Sequence, residues 1–356
     1  MQVTPMSALP IINAGLIGCG EVANRYGTLL SGSGHSGLRL TCATDVSDAE
    51  GRAFSDAFGL RFQPSLAALL TEPIELVCVC TPNITHAPIA YRCMEAGLHV
   101  LLEHPMAMSI DEAEKLRETA RGLRRHLFVV RQRRFLATVQ AVRAALDRGV
   151  FGEIRTVEAS VYWSRRPEYF TERPWRADHD NGGVLLNQGS HFLDILLFLF
   201  GTPRAVEGYV GNIRHPIEVE DTARGAMHFA GFAAYFEFTT AAPEGWNRAH
   251  LRIEGTRHNV ELGGQAWERF VGPVPDEILR LDGLLEQPLG GDHASYFERV
   301  SRRLAGEAIT VVEADEGIRM VHLIDSIYAV AVRADADLAA YFGSRLEDIR
   351  LHGDCA

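Results

Sequence analysis

The run Gly15-Leu-Ile-Gly18-Cys-Gly20-Glu-Val-Ala23 constrains this chain more than any other segment. It closes an apolar stretch of strand length, residues 11–17, and opens a stretch of helical period, residues 21–31. Glycine at 18 and 20 permits a tight turn and close backbone approach to a pyrophosphate, while the small Ala23 lets helix pack on strand; together they make a G-x-G-x-x-A dinucleotide fingerprint. The amides at the helix start then face the anion. Asp45 follows roughly 20 residues on, at the end of the apolar run 38–44, where a carboxylate accepts from both ribose hydroxyls. The local run Ala43-Thr-Asp-Val-Ser47 holds no arginine for a 2′-phosphate, so NAD is expected and NADP less so.

The rhythm around this fingerprint extends it into a domain. Short apolar runs recur at 76–80 and 99–102, with helical patterns at 48–58, 65–70, 86–96 and 110–122, which predicts a doubly wound parallel sheet. A strand is expected at 127–131 and a helix at 137–148. The period then drops to two at 154–163, 205–213, 222–229, 233–239 and 250–254, with helices at 184–200, 294–304 and 315–332. The expected fold class is α/β: an NAD-binding Rossmann domain over 1–125, then an α+β domain over 126–356 with a large, mostly antiparallel open sheet for substrate binding and oligomerisation. The outward positions of 233–239 read as too apolar for a wetted face, so a homodimer or homotetramer through that sheet is expected.

Composition removes several function classes. The formal charge is −11 and no Lys/Arg-rich block occurs, so nucleic acid is not an expected partner. The apolar stretch 192–200 is interrupted by Asp194 and is far short of the roughly 18 to 20 residues that span a bilayer, so no membrane partner is expected either. Residues 1–14 lack a basic segment and carry two prolines, which reads as a short flexible leader and not a signal peptide; the expected compartment is the cytoplasm. Six cysteines are sparse, Cys78 and Cys80 fall in an apolar run, and no paired C-x-x-C occurs, so neither a disulfide nor a metal site is expected. Lys115 is the only lysine.

Two further segments carry polar chemistry. Asn187, His191 and Asp194 are spaced i, i+4, i+7 and would share one face of a regular helix. On residue types alone, a glycine-rich helix start that buries a satisfied histidine is the simpler reading. Arg165, Arg166, Arg173 and Arg176 lie among Tyr162, Trp163, Tyr169, Phe170 and Trp175. Aromatic faces suit sugars and guanidinium forks suit carboxylate or pyrophosphate, although such arginines also pair in solvent with Glu168, Glu172 and Asp178.

Cys80-Thr-Pro-Asn83 with His86, Leu102-Glu-His-Pro105, Gln132-Arg-Arg-Phe135, the segment 149–154, and Trp175-Arg176 followed by residues 182–194 complete a pattern. With the fingerprint, they resemble the Gfo/Idh/MocA family of oxidoreductases over nearly the whole chain. Asn187-Gln-Gly-Ser-His191 is similar to the branch that oxidises C3 of UDP-N-acetylglucosaminuronate. The resemblance implies a cofactor set of Gly18, Cys19, Gly20, Glu21, Val22, Asp45, Thr81, Pro82, Asn83, His86, Glu103, His104 and Gln132. It implies His191 as leading acid/base, Asn187 as positioner of a substrate hydroxyl, and Asp194 as a possible orienter of the imidazole. It further implies Arg133, Arg165, Trp175 and Arg176 as substrate contacts beside Asn187 and His191, sheet-mediated association, and a sugar, glycoside or sugar-nucleotide substrate. His86 either sets the cofactor turn or caps the next helix.

The pattern departs from the family at one position. The resemblance implies a lysine after Glu103, where this chain has His104, and Lys115 eleven residues on is expected to be exposed. His104 reads three ways: a second proton relay, a polar contact to nicotinamide ribose or substrate, or a mark of lost chemistry. The alternative to an enzyme is therefore an NAD-binding sensor or regulatory relative without turnover.

Overall fold

The computed structural model describes residues 10–32, 36–178, 181–280 and 293–334. Most of the expected leader, residues 1–9, lies outside them. By internal contacts the chain forms two units, Met1–Gln132 with Gly291–Val321, and Arg133–Gly290 with His322–Ala356.

The first unit is built on a six-stranded parallel sheet: β1 (Ile12–Ile17), β2 (Leu38–Thr44), β3 (Arg61–Phe62), β4 (Leu76–Val79), β5 (His99–Leu102) and β6 (Leu127–Val129). Their order, β3-β2-β1-β4-β5-β6, reverses direction between β1 and β4, the switch point of a doubly wound fold. β4 and β5 are near-continuous apolar runs because helices cover both faces of such a sheet, and Val77, Cys78, Val100 and Leu101 are fully buried. The connecting helices are α1 (Glu21–Leu30), α2 (Asp48–Phe58), the short α3 (Leu66–Leu69), α4 (His86–Glu95) and α5 (Ile110–Gly122). Serines 47, 65 and 109 each accept the backbone N–H three residues on, capping α2, α3 and α5 where the sequence turns from strand to helix. β6 pairs with β5 and so completes this sheet beyond residue 125, where the sequence placed the domain boundary. A later segment also belongs here, since the Tyr296 hydroxyl donates to the Val129 carbonyl.

The second unit begins with α6 (Ala137–Asp147) and holds an eight-stranded sheet. Its strands are β7 (Ile154–Trp163), β8 (Ala205–Gly211), β9 (Thr222–His228), β10 (Ala233–Thr239), β11 (Asn247–Gly255), β12 (Asn259–Gly263), β13 (Arg269–Val271) and β14 (Val332–Arg333). The order is β13-β12-β11-β7-β10-β9-β8-β14, antiparallel except at β7/β10 and β8/β14. Short helices α7 (Glu168–Thr171) and α9 (Asp276–Leu279) lie in loops, and α8 (Ser190–Phe200) packs on one sheet face, its Phe192 ring 6.1 Å from Phe238. Helix α10 (His293–Leu304) belongs to the first unit, and α11 (Ala314–Val330) supplies residues to both.

Strand alternation corrects one expectation. Ala234, Phe236 and Phe238 point inward and are buried, so the outward row of β10 is Ala233, Tyr235 and Glu237, a mixed face and not an apolar one.

Candidate functional site

In the first unit the expected cofactor residues gather at the carboxyl ends of the parallel strands, where open α/β sheets bind ligands. Gly18 follows β1 with φ +88, and a Cβ there would sit 2.8 Å from both the Cys80 carbonyl oxygen and Thr81 Cγ2, so the turn admits only glycine. Gly20 caps α1 without any side-chain bond, and a Cβ there would meet nothing within 4 Å, so an anion can approach the start of the helix. Asp45 follows β2. Its carboxylate accepts from the Cys19 amide at 2.7 Å and the Ser47 amide at 2.8 Å, tying the glycine turn to the second strand. Buried Gln132 lies beyond β6, and its Oε1 has no hydrogen-bond partner among the described residues. A glycine cradle at a helix start, a partly exposed carboxylate and an orphaned buried amide oxygen fit a dinucleotide.

Behind β4 and β5 the loops are cross-tied by His86, whose Nδ1 lies 2.7 Å from the Pro105 carbonyl oxygen and Nε2 2.9 Å from that of Thr81. The ring therefore binds the Thr81-Pro82-Asn83 turn and does not cap α4. Burial pushes its pKa below the ordinary range against the pull of both carbonyls. Glu103 accepts from the Tyr26 hydroxyl at 2.6 Å and has His293 Nε2 at 3.7 Å. Burial alone would raise its pKa, but His293, His104 and Tyr26 hold it at about 2, so a largely buried carboxylate stays ionised next to His104. His104 itself is half-buried at the end of β5. Tyr26 and His293 were not singled out from sequence, because the contact joins residues far apart along the chain.

In the second unit the helix expected at 184–200 is not uniform. Residues Leu185–Gly189 form a π-helical turn, closed by the Gly189 amide on the Val184 carbonyl at 2.6 Å, before α8 begins. Such turns recur at functional sites. The turn carries Asn187, whose Nδ2 donates to the Asn181 carbonyl at 3.1 Å, and α8 presents half-buried His191. A buried carboxylate that the sequence reading missed holds the turn: Glu220 Oε1 accepts from the Leu185 amide at 3.0 Å and the Tyr328 hydroxyl at 2.7 Å. Gly183, with φ +89, makes room for it, since a Cβ would lie 2.5 Å from that oxygen. The visible signal was a Glu-Asp pair, Glu220-Asp221, opening an apolar strand. Burial raises the Glu220 pKa.

Asp194 is held by an arginine. Both its oxygens accept from Arg134, Nε at 2.7 Å and Nη2 at 2.8 Å, in a pair whose side chains are 3% and 6% exposed. Of the arginine cluster, Arg165 and Arg176 stack on Tyr169 and Arg133 lies over Trp163 and Phe192, whereas Arg166 is exposed and pairs with Glu244, and Arg173 is exposed. Trp175 is half-buried beside Arg176.

Comparison with known proteins follows the same division. Residues 12–130 match a model described as oxidoreductase family, NAD-binding Rossmann fold, and residues 139–261 match the GFO/IDH/MocA C-terminal domain. The chain is 29% identical to D-glucoside 3-dehydrogenase of Escherichia coli, over 92% of this chain and 97% of that protein. It is 25% identical to an NADP(+)-dependent scyllo-inositol 2-dehydrogenase of Bacillus subtilis, over 71% and 75%. Among solved structures, the WlbA dehydrogenase of Chromobacterium violaceum, in complex with NADH and UDP-GlcNAcA, is similar with a TM-score of 0.83 and 28% identity, over 93% of this chain and 96% of that one.

Proposed function

The chain belongs to the Gfo/Idh/MocA oxidoreductase family, and from that premise we propose that it transfers a hydride between NAD and a secondary alcohol of a sugar, glycoside or sugar nucleotide. One observation carries the reading: a π-helical turn, braced by Glu220, sets Asn187 just ahead of a half-buried imidazole, His191, in a chain whose first domain binds NAD. NAD bound at the glycine turn would supply the hydride acceptor.

His191 takes the hydroxyl proton as the C–H bond breaks, because neutral imidazole is the side chain whose unperturbed pKa, about 6.5, suits a base near neutrality. Asn187 fixes the reacting hydroxyl, its amide being able both to donate and to accept. Gly18, Cys19, Gly20, Glu21 and Val22 hold the pyrophosphate, Asp45 the ribose, and Thr81, Pro82, Asn83, His86, Glu103, His104 and Gln132 line the remaining strand ends. Trp175 offers a face to the sugar, with Arg133, Arg165 and Arg176 offering donors.

The relatives support a carbohydrate substrate by what their names state, glucoside, inositol and a sugar nucleotide. In the test, His191→Ala abolishes sugar-dependent NADH formation and keeps NAD affinity, while His104→Ala slows turnover without comparable loss of cofactor binding. Full activity in His191→Ala removes this mechanism. A second reading, an NAD-binding sensor, is favoured by one observation: the family lysine is His104 here, and Lys115 is exposed on α5 with its ammonium 4.9 Å above the Tyr91 ring. That reading requires saturable NAD binding with no turnover over a broad panel of sugars, glycosides and UDP-sugars.

A further inference from the structure

The segment after β7 folds its arginines and aromatics into one stack. Arg165 Cζ lies 5.0 Å from the centroid of the Trp163 ring and 5.2 Å from that of Tyr169, and Arg176 Cζ lies 4.0 Å from Tyr169. Arg133 shares Trp163 at 5.6 Å and reaches Phe192 at 5.0 Å. The stack adjoins the proposed catalytic helix at two points. Gln188, next to Asn187, donates to the Tyr169 hydroxyl at 3.1 Å, and Phe192, next to His191, meets Trp163 edge-on at 5.9 Å.

Charge is unbalanced at Arg165. Its Nη1 donates to two neutral oxygens, Ser164 O at 3.1 Å and Asn247 Oδ1 at 3.2 Å, and no carboxylate of the described residues reaches its guanidinium. The neighbouring Arg166 differs: it is exposed and already paired with Glu244. A half-buried cation flanked by a second one through a shared ring is costly, and an oxyanion offsets that cost. Stacking occupies the faces of a guanidinium and leaves its in-plane donors for two parallel bonds to carboxylate or phosphate.

We propose that Arg165, supported by Arg176 across Tyr169, anchors an oxyanion carried by the carbohydrate substrate, a uronate carboxylate or a sugar-nucleotide phosphate. The site thereby selects anionic over neutral sugars. This deepens the reading above and rests on it for the class of ligand.

The test is calorimetric, on protein loaded with NADH so that no titrant is oxidised. Methyl glucuronoside, UDP-glucose and methyl glucoside are compared, and at least one anionic ligand binds about ten-fold or more tighter than the neutral one. Arg165→Gln lowers that ratio by about 10- to 100-fold, the range of a charged hydrogen-bonded pair. Arg165→Lys, which keeps the charge and stem but not the fork, falls between. Arg166→Gln removes the same charge one residue away and leaves the ratio as in the wild type. Whichever anionic ligand holds the advantage identifies carboxylate or phosphate as the group bound. Equal affinities in the wild type, no binding by any titrant, or an unchanged ratio in Arg165→Gln overturns the proposal. Anion binding without turnover sinks the oxidoreductase reading alone, and turnover of neutral glycosides with no anionic advantage sinks this one alone.

Discussion

The Asp45 carboxylate accepts from the Cys19 and Ser47 amides, so it braces the glycine turn as well as standing where a ribose is expected. We expect its charge to be the part that discriminates cofactors. Asp45→Asn keeps the shape and one acceptor oxygen while removing the repulsion of a 2′-phosphate, and should narrow the preference for NAD over NADP by roughly ten-fold, the scale of 1.4 kcal/mol. Paired titrations with NAD and NADP measure it, and stronger NADP binding by the wild type would contradict it. Asp194 carries charge of the opposite use. With Arg134 it forms a buried, doubly hydrogen-bonded pair, and removing one partner strands the other without water. Asp194→Ala should therefore cost about 3 to 5 kcal/mol in urea unfolding, with a loss under 1 kcal/mol counting against the pair. The two aspartates also differ in what sequence can show. Asp45 was legible because glycine turn, strand end and carboxylate follow a local spacing. The partner of Asp194 was not, because Arg134 lies 60 positions away and only tertiary packing joins them.

At the scale of elements, the strands and helices of the first sheet were readable to within a residue or two, except the two-residue edge strand β3, since buried parallel strands are continuous apolar runs bounded by serine caps and glycines. The π-helical turn at Leu185–Gly189 was not readable, because the segment it enters is apolar almost all round and a phase shift of one residue leaves no mark on such a pattern. Strands β12 and β13 were missed because they are short and polar on one face. One strand end also sets an acid response. His99 opens β5, and its Nδ1 accepts the His126 amide at 2.9 Å. Burial, followed by the charges of His126 and Arg125, lowers its pKa to about 4. The unfolded chain protonates this ring near 6.5. Between pH 6.5 and 4 the unfolded state thus binds a proton that the folded state refuses, so stability falls as pH drops through that window and levels below it. His99→Asn keeps an acceptor for the His126 amide and does not titrate, and its urea midpoint should lose less than the wild type does from pH 7 to 4. Parallel curves would exclude His99 as a source of the acid response.

For the molecule as a whole, the open prediction is assembly. The inner face of the eight-stranded sheet is closed by α8 through Gly189, Phe192 and Phe238, while the outer face keeps Tyr235 at 52% exposure and Tyr209 at 37%. Between them the register sets Glu237 opposite Arg224, itself opposite Tyr209, with the Arg224 guanidinium 5.1 Å from the Tyr209 ring. Tyrosines amid paired charges make a surface that is polar enough to stay dissolved and aromatic enough to bind, the composition of many subunit contacts. The original reason for expecting association, an apolar outer row on β10, does not hold, since Phe236 and Phe238 face inward. We nevertheless expect a homodimer or homotetramer through this face, now on the tyrosines and their charged frame. A two-fold operator would place each Tyr235 against a copy of the same patch, so one substitution acts twice per interface. Light scattering at micromolar concentration should give a mass of two or four chains, and Tyr235→Arg should shift it toward one by adding like charge to both sides. A monomeric wild type, or a Tyr235→Arg variant of unchanged mass with Tyr209→Arg equally silent, would move the interface elsewhere or remove it.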